Sequence, residues 1–216
     1  MATLDVRGLS AGYGRARVLF DVDLDAREGE VVALLGRNGA GKSTTLKAIM
    51  GLVPPLSGEV LLNGESISHL LPYQISRRGL GYVPEDRRIF TDLTVSENLE
   101  VARQPPRGAM PAWTEERLFA LFPALAGLRD RRGARMSGGE QQMLCIARTL
   151  AGNPTAILLD EPSEGLAPVV VEQMARAIVE LKRAGLTVLL AEQSRHFAGR
   201  VADRSYVLEN GVISKT

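Results

Sequence analysis

Residues 36–44 read Gly36-Arg37-Asn38-Gly39-Ala40-Gly41-Lys42-Ser43-Thr44 and complete the pattern G-x-x-x-x-G-K-[ST]. A chain with this segment has few folds open to it, because the loop works only between a buried strand and a helix. Upstream, Val31-Val32-Ala33-Leu34-Leu35 is the short apolar run expected of a buried parallel strand. Three glycines let the loop curl so that successive backbone N–H groups point inward at phosphate oxygens. Lys42 is placed to bridge β- and γ-phosphates, and the Ser43 hydroxyl to ligate Mg²⁺. A helix opening at Lys42 adds its positive N-terminal end. Residues Gly36 to Thr44 are therefore expected to hold a nucleoside triphosphate with Mg²⁺.

A chain of 216 residues suits one α/β unit with an inserted or appended subdomain. Its 45% hydrophobic content supports a sizeable core, and a net charge of +1 argues against a nucleic-acid-binding surface. Cys145 is the only cysteine, which excludes an internal disulfide and a cysteine zinc site, and its apolar surroundings read as a buried small hydrophobe. Asp5 and Arg7 precede any apolar run, so no signal peptide is expected. The apolar runs at 156–159 and 187–191 are too short to span a bilayer. The expectation is a cytoplasmic protein that reaches a membrane only by docking on something else.

Alternation predicts strands at 3–9 and 18–24 as an antiparallel flank, then the 31–35 strand, the phosphate loop and a helix to about residue 50. Short strands follow at 58–63 and 80–83. From 85 to 150 the spacing turns helical. Thr94-x-x-Glu97 and Ser137-x-x-Glu140 are capping boxes, and a further helix begins at Thr114. Strand and helix then alternate, with strands at 155–159, 187–191 and 206–209 and helices at 168–183 and 194–202. The reading is a single α/β domain, its core formed by 1–84 and 151–216 and interrupted by a helical insert at 85–150.

Ala156-Ile157-Leu158-Leu159 ends in Asp160-Glu161. A parallel strand that delivers carboxylates at its C-terminal end places them beside a phosphate loop. Asp160 would hold Mg²⁺, directly or through water, and Glu161 would orient or deprotonate the attacking water. Before it, Met136-Ser137-Gly138-Gly139-Glu140-Gln141 offers a second anion-binding nest at a helix start.

A phosphate loop, this serine-glycine-glycine segment and an Asp-Glu strand end, in that order, resemble the ATP-binding subunit of ABC transporters, over nearly the whole chain. The resemblance implies a P-loop NTPase fold: an α/β RecA-like core, an antiparallel β flank and an inserted α-helical subdomain. It gives Tyr13, in Gly12-Tyr13-Gly14, the role of stacking on adenine. Glu85 stands where the family has a glutamine that reads Mg²⁺ and the membrane partner. Ser137, Gly138, Gly139 and Glu140 would cover ATP held by another subunit, so one chain carries two half-sites.

The resemblance also has departures. Ser163-Glu164-Gly165-Leu166 follows Glu161 where the family has its dimer-contacting loop, and Ala167 replaces a common aspartate there. Gln193 stands where most members carry a histidine beneath the γ-phosphate, with His196 three residues on. Together with Glu85-Asp86-Arg87-Arg88-Ile89-Phe90, these are similar to the LivF-type ATPase of branched-chain amino acid importers, with urea and amide importers as alternatives. That group implies a heterodimer with a second ATPase subunit, two membrane permease chains and an extracytoplasmic substrate-binding protein. The chain would then sit on the inner face of the plasma membrane. Catalysis would rest on Glu161, Lys42 and Gln193. Rival readings are a non-transport ABC ATPase, lacking here its usual long insertions, a different P-loop enzyme, lacking N-K-x-D, and a regulatory module that binds without hydrolysing.

Overall fold

The computed structural model describes residues 2–107 and 111–214. The chain begins with β1 (Ala2–Tyr13), β2 (Ala16–Arg27) and β3 (Val31–Leu35), followed by α1 (Lys42–Ile49), β4 (Pro55–Leu62) and β5 (Glu65–Ser66). Next come α2 (Pro72–Arg77), β6 (Leu80–Val83), α3 (Val95–Ala102), α4 (Glu115–Leu121), α5 (Pro123–Ala126) and α6 (Gly138–Ala151). The remainder is β7 (Ala156–Asp160), α7 (Pro168–Arg183), β8 (Thr187–Glu192), α8 (Arg195–Val201), β9 (Arg204–Glu209) and β10 (Val212–Ser214).

Two sheets form. One is antiparallel, in the order β2-β1-β4-β5; the other runs β10-β9-β3-β8-β7-β6. In the second, β3 pairs in parallel with β8 and β9, and β7 pairs in parallel with β6 and β8, so only β10 runs against the rest. The α/β class, the antiparallel flank and the helices inserted between β6 and β7 are the architecture the sequence led us to expect.

Period-two alternation explains how the sheets are stacked. Along β7 and β8, Ile157, Leu159, Val188 and Leu190 face the helical side with Leu144, Ile146, Ile178 and Leu181. Leu158, Leu189 and Ala191 turn the other way, with Leu46 and Ile49 of α1 and with Val6, Leu24 and Val60 of the antiparallel sheet. The central strand β3 is buried at every position, which is why its sequence shows no polar alternation. Both faces of the parallel sheet are thus covered, and its free chemistry is confined to the strand ends.

The hairpin of β1 and β2 extends beyond the expected 3–9 and 18–24. Register shifts between Val6 and Leu9, Leu9 and Ala11, and Ala11 and Gly12 break the alternation without ending the pairing. Both helix caps foreseen as boxes form. Thr94 N–H donates to Glu97 at 2.7 Å while Glu97 N–H donates to Thr94 Oγ1 at 3.2 Å. Ser137 and Glu140 exchange the same pair of bonds at 2.7 and 3.3 Å.

Candidate nucleotide site

The C-terminal ends of β3, β7 and β8 lie side by side, and each delivers one part of the site. From β3 the chain enters the loop at Gly36, whose N–H donates to the Glu192 carbonyl at 3.3 Å. A Cβ at Gly36 would meet the Leu208 carbonyl oxygen at 2.6 Å, so no other residue fits this entry. Gly41 takes φ 110°, a left-handed backbone that turns the loop into α1. Across the loop, the Gly211 N–H donates to the Ala40 carbonyl at 3.0 Å, bracing the curl from the β9–β10 turn. The first turn of α1 has no side-chain cap and no acidic residue, so its positive end is left for an anion.

Lys42 is buried to 3% exposure and directs its ammonium at three acceptors. These are the carbonyls of Gly36 at 2.9 Å and Arg37 at 3.2 Å, and Glu161 Oε1 at 2.9 Å. Glu161 follows β7 with a left-handed φ of 46°, an energetically costly backbone for a non-glycine residue, and its N–H is pinned to the Ala191 carbonyl at 2.9 Å. Burial pushes its carboxyl up, but hydrogen bonding to Glu164 and to Lys42 and the charge of Lys42 hold it below the usual carboxylate range.

Asp160 ends β7 and is buried. Ser43 Oγ donates to its Oδ1 at 2.9 Å, and the Tyr82 hydroxyl donates to its Oδ2 at 3.1 Å. Burial raises the Asp160 pKa, and these two bonds work against that rise. The Tyr82 phenol is itself raised by burial and by the charge of Asp160, so it stays a donor.

Asn38, Gly39, Gly41, Lys42, Ser43, Thr44, Glu85, Glu161 and Glu164 line one cavity of about 380 Å³. The structure thus brings the phosphate loop, Glu85 and Glu161 around a common space. A neighbouring cavity of about 400 Å³ is lined by Glu161, Glu164, Glu192, Gln193 and His196. Gln193 and His196 are both exposed and open onto the same space. Tyr13 lies at the end of β1, paired with Ala16 across the hairpin, and is half exposed. Ser137 caps α6, away from both cavities. Beside it, a Cβ on Gly138 would collide with the Arg87 guanidinium.

The ABC transporter family pattern matches residues 19–164. The chain belongs to the ABC transporter ATPases. It is 43% identical over 205 residues to the high-affinity branched-chain amino acid transport ATP-binding protein BraG of Pseudomonas aeruginosa, covering 95% of this chain and 88% of that protein. It is 38% identical over 213 residues to the lipopolysaccharide export system ATP-binding protein LptB of Escherichia coli, covering 98% of this chain and 88% of that protein. A solved ATP-binding subunit of an ABC transporter superposes with a TM-score of 0.85 at 33% identity, over 99% of this chain and 88% of that one.

Three polar residues of this ABC ATPase escaped the sequence reading. Tyr82 lies on β6, where Leu80 and Tyr82 share the face toward the antiparallel sheet, so the pattern reads as core. Glu192 ends an apolar strand as Asp160 does, and that shared signature could have found it. Glu164 shares a hydrogen bond with Glu161 and feels its charge, which pushes its carboxyl up to about 7. Three-residue spacing from Glu161 was the only hint of it.

Proposed function

We propose that this ABC transporter ATPase powers import of branched-chain amino acids. The observation that carries the reading is its 43% identity to BraG over 95% of the chain. The Glu85, Ala167 and Gln193 departures, read from the sequence, point the same way. A second reading, export of a lipidic polysaccharide, is favoured by the 38% identity to LptB over 98% of the chain.

Mg²⁺ fits the oxygen donors in the site. Ser43 Oγ and Asp160 Oδ1 are hard donors 2.9 Å apart, and Glu85 lines the cavity onto which Ser43 opens. Among the described residues, no group of three or more His, Cys, Asp or Glu could hold a metal. That suits an ion which keeps waters and shares substrate phosphates. Ser43, Asp160 and Glu85 would hold it, and when bound it would neutralise charge on the phosphates.

The resemblance gives the protein's own part in the reaction, and the cavity shared by the phosphate loop, Glu85 and Glu161 supports it. Lys42 and the N–H groups of the 36–44 loop other than those of Gly36 and Ala40, which pair within the protein, bind the phosphates, and Tyr13 offers a ring face to the adenine. Glu161 takes the proton of the attacking water, and Gln193 orients that water or donates to a γ-phosphate oxygen. Ser137, Gly138, Gly139 and Glu140 close the site from a second ATPase subunit, of a different chain. The 85–150 lobe moves against the 1–84 and 151–216 core as the pair closes.

No helix of the described residues is long and apolar enough to cross a membrane. Two permease chains would supply that part, with an extracytoplasmic binding protein delivering the substrate. A groove of about 460 Å³ bordered by Leu52, Tyr73 and Val101, each substantially exposed, suits a cytoplasmic permease helix. The chain would thus be cytoplasmic and peripheral on the inner face of the plasma membrane. Deleting the gene should impair uptake of leucine, isoleucine and valine at low external concentration. Unchanged uptake of all three, with lipopolysaccharide lost from the cell surface, would select the export reading.

A further inference from the structure

A buried carboxylate that the reaction above does not use lies at the end of β8. Glu192 is 2% exposed. Its Oε1 accepts the Ser163 hydroxyl at 2.6 Å and the Ser163 backbone N–H at 3.2 Å. Its Oε2 accepts the Ser194 backbone N–H at 3.2 Å. Its main-chain carbonyl takes the N–H of Gly36. One residue therefore ties together the first glycine of the phosphate loop, the turn after Glu161 and the loop that carries Gln193.

The partners suit a carboxylate: the Ser163 N–H, the Ser163 hydroxyl and the Ser194 N–H all reach its oxygens. All are donors, and a glutamine would have to turn its NH₂ group toward one of them. No salt-bridge cation contacts Glu192 among the described residues, so only the hydrogen bonds from Ser163 and Ser194 work against the burial that raises its pKa, a costly choice for a position that only fills space. The held segments are not passive. Ser163 sits between Glu161 and Glu164, which are joined by a 3.1 Å backbone bond. Ser194 caps α8 by accepting the Phe197 N–H.

We propose that Glu192 is a positioning residue that transmits contact at the turn following Glu161 to Glu161 itself and to Gln193. The proposal rests on the reading above, in which a second ATPase subunit closes the site, and on the resemblance that makes the turn after Glu161 the loop contacting that subunit. A displacement of Ser163 at that interface pulls on Oε1, and the rigid strand end carries it through Oε2 to Ser194 and through the carbonyl to Gly36. Hydrolysis then waits on association, although the phosphate loop binds ATP in a single chain.

The test compares wild type, Glu192→Gln, Ser163→Ala and the double variant as full-length proteins with Mg²⁺-ATP, over a range of protein concentrations. Turnover, KM for ATP, association by light scattering and melting temperature are read together. A misplaced catalytic group costs up to about 10²-fold, so kcat should fall by about ten- to a hundredfold in Glu192→Gln. KM and association should hold within about twofold, and the double variant should be no slower than Glu192→Gln, because both changes cut one path. Wild-type kcat in Glu192→Gln, or losses that multiply in the double variant, would overturn the proposal. Should Glu192→Gln fail to fold, Ser163→Ala decides, since it removes one hydroxyl from a partly exposed turn: reduced kcat at intact association supports the proposal, and wild-type kcat overturns it. A wild-type protein that neither associates nor hydrolyses ATP, alone or together with the second ATPase subunit, would overturn the underlying reading and the proposal with it, a result distinct from any seen only in the variants.

Discussion

Lys42 Nζ stands 2.9 Å from Glu161 Oε1, with side-chain exposures of 3% and 7%. The ammonium expected to meet the phosphates is held by the carboxylate expected to handle the water. In the proposed reaction, phosphate oxygens that draw Lys42 onto themselves would release Glu161, making nucleotide binding and freeing of the proposed base one exchange of partners. Removing one member of a buried pair leaves the other uncompensated, which costs about 3–5 kcal/mol. Lys42→Ala should therefore lose fluorescent-ATP binding and also unfold at lower urea concentration than wild type. Retained binding would remove Lys42 from the phosphate contacts.

Ser137→Arg should block ATP-dependent association and hydrolysis while sparing ATP binding to the single chain. The residue caps α6 and does not line the phosphate-loop cavity. Equilibrium binding and analytical ultracentrifugation separate the two effects. Lost binding in the monomer would mean that Ser137 acts within its own chain.

The capping boxes at Thr94 and Ser137 were legible because they depend on side chains three residues apart. The phosphate loop and the Asp160-Glu161 strand end were legible for a similar local reason. The reach of β1 to Tyr13 was not, since bulges interrupt the alternation, and Gly8 and Gly12 look like turn signals. The helix α2, six residues opening at Pro72, is too short to show a period. Tyr82 and Glu192 acquire meaning only when folding sets them against Asp160 and Ser163, 78 and 29 residues away.

Gln193 and His196 open onto one cavity with Glu161, and their variants divide the work between them. Gln193→Ala should slow hydrolysis by about 10²-fold, as when a preorganised donor to the transition state is lost. Gln193→His should stay within about tenfold of wild type. A dead His196→Ala beside an active Gln193→Ala would transfer the role to His196.

Glu164 titrates near 7 instead of at 4.5 because of its hydrogen bond to, and charge from, Glu161. The folded protein therefore holds a proton there that the unfolded chain releases at lower pH. That contribution is fully present below pH 4.5 and is lost as pH rises through about 7. Glu164→Gln removes the repulsion, so its melting temperature should gain on wild type at about pH 8 and much less at about pH 5. Glu164 is largely exposed, which keeps the effect small. A gain independent of pH would show that the two carboxyls do not share the proton.

Glu161 as the proposed base, beside a phosphate loop that binds nucleotide without it, is the assignment on which hydrolysis turns. Steady-state hydrolysis and nucleotide retention by Glu161→Gln test this directly. The amide keeps the shape and can still accept from Lys42, but it cannot take a proton. Turnover should fall by about 10²–10⁴-fold while ATP still binds and the protein accumulates as a nucleotide-bound dimer. Near wild-type turnover in Glu161→Gln would remove Glu161 from the role of base.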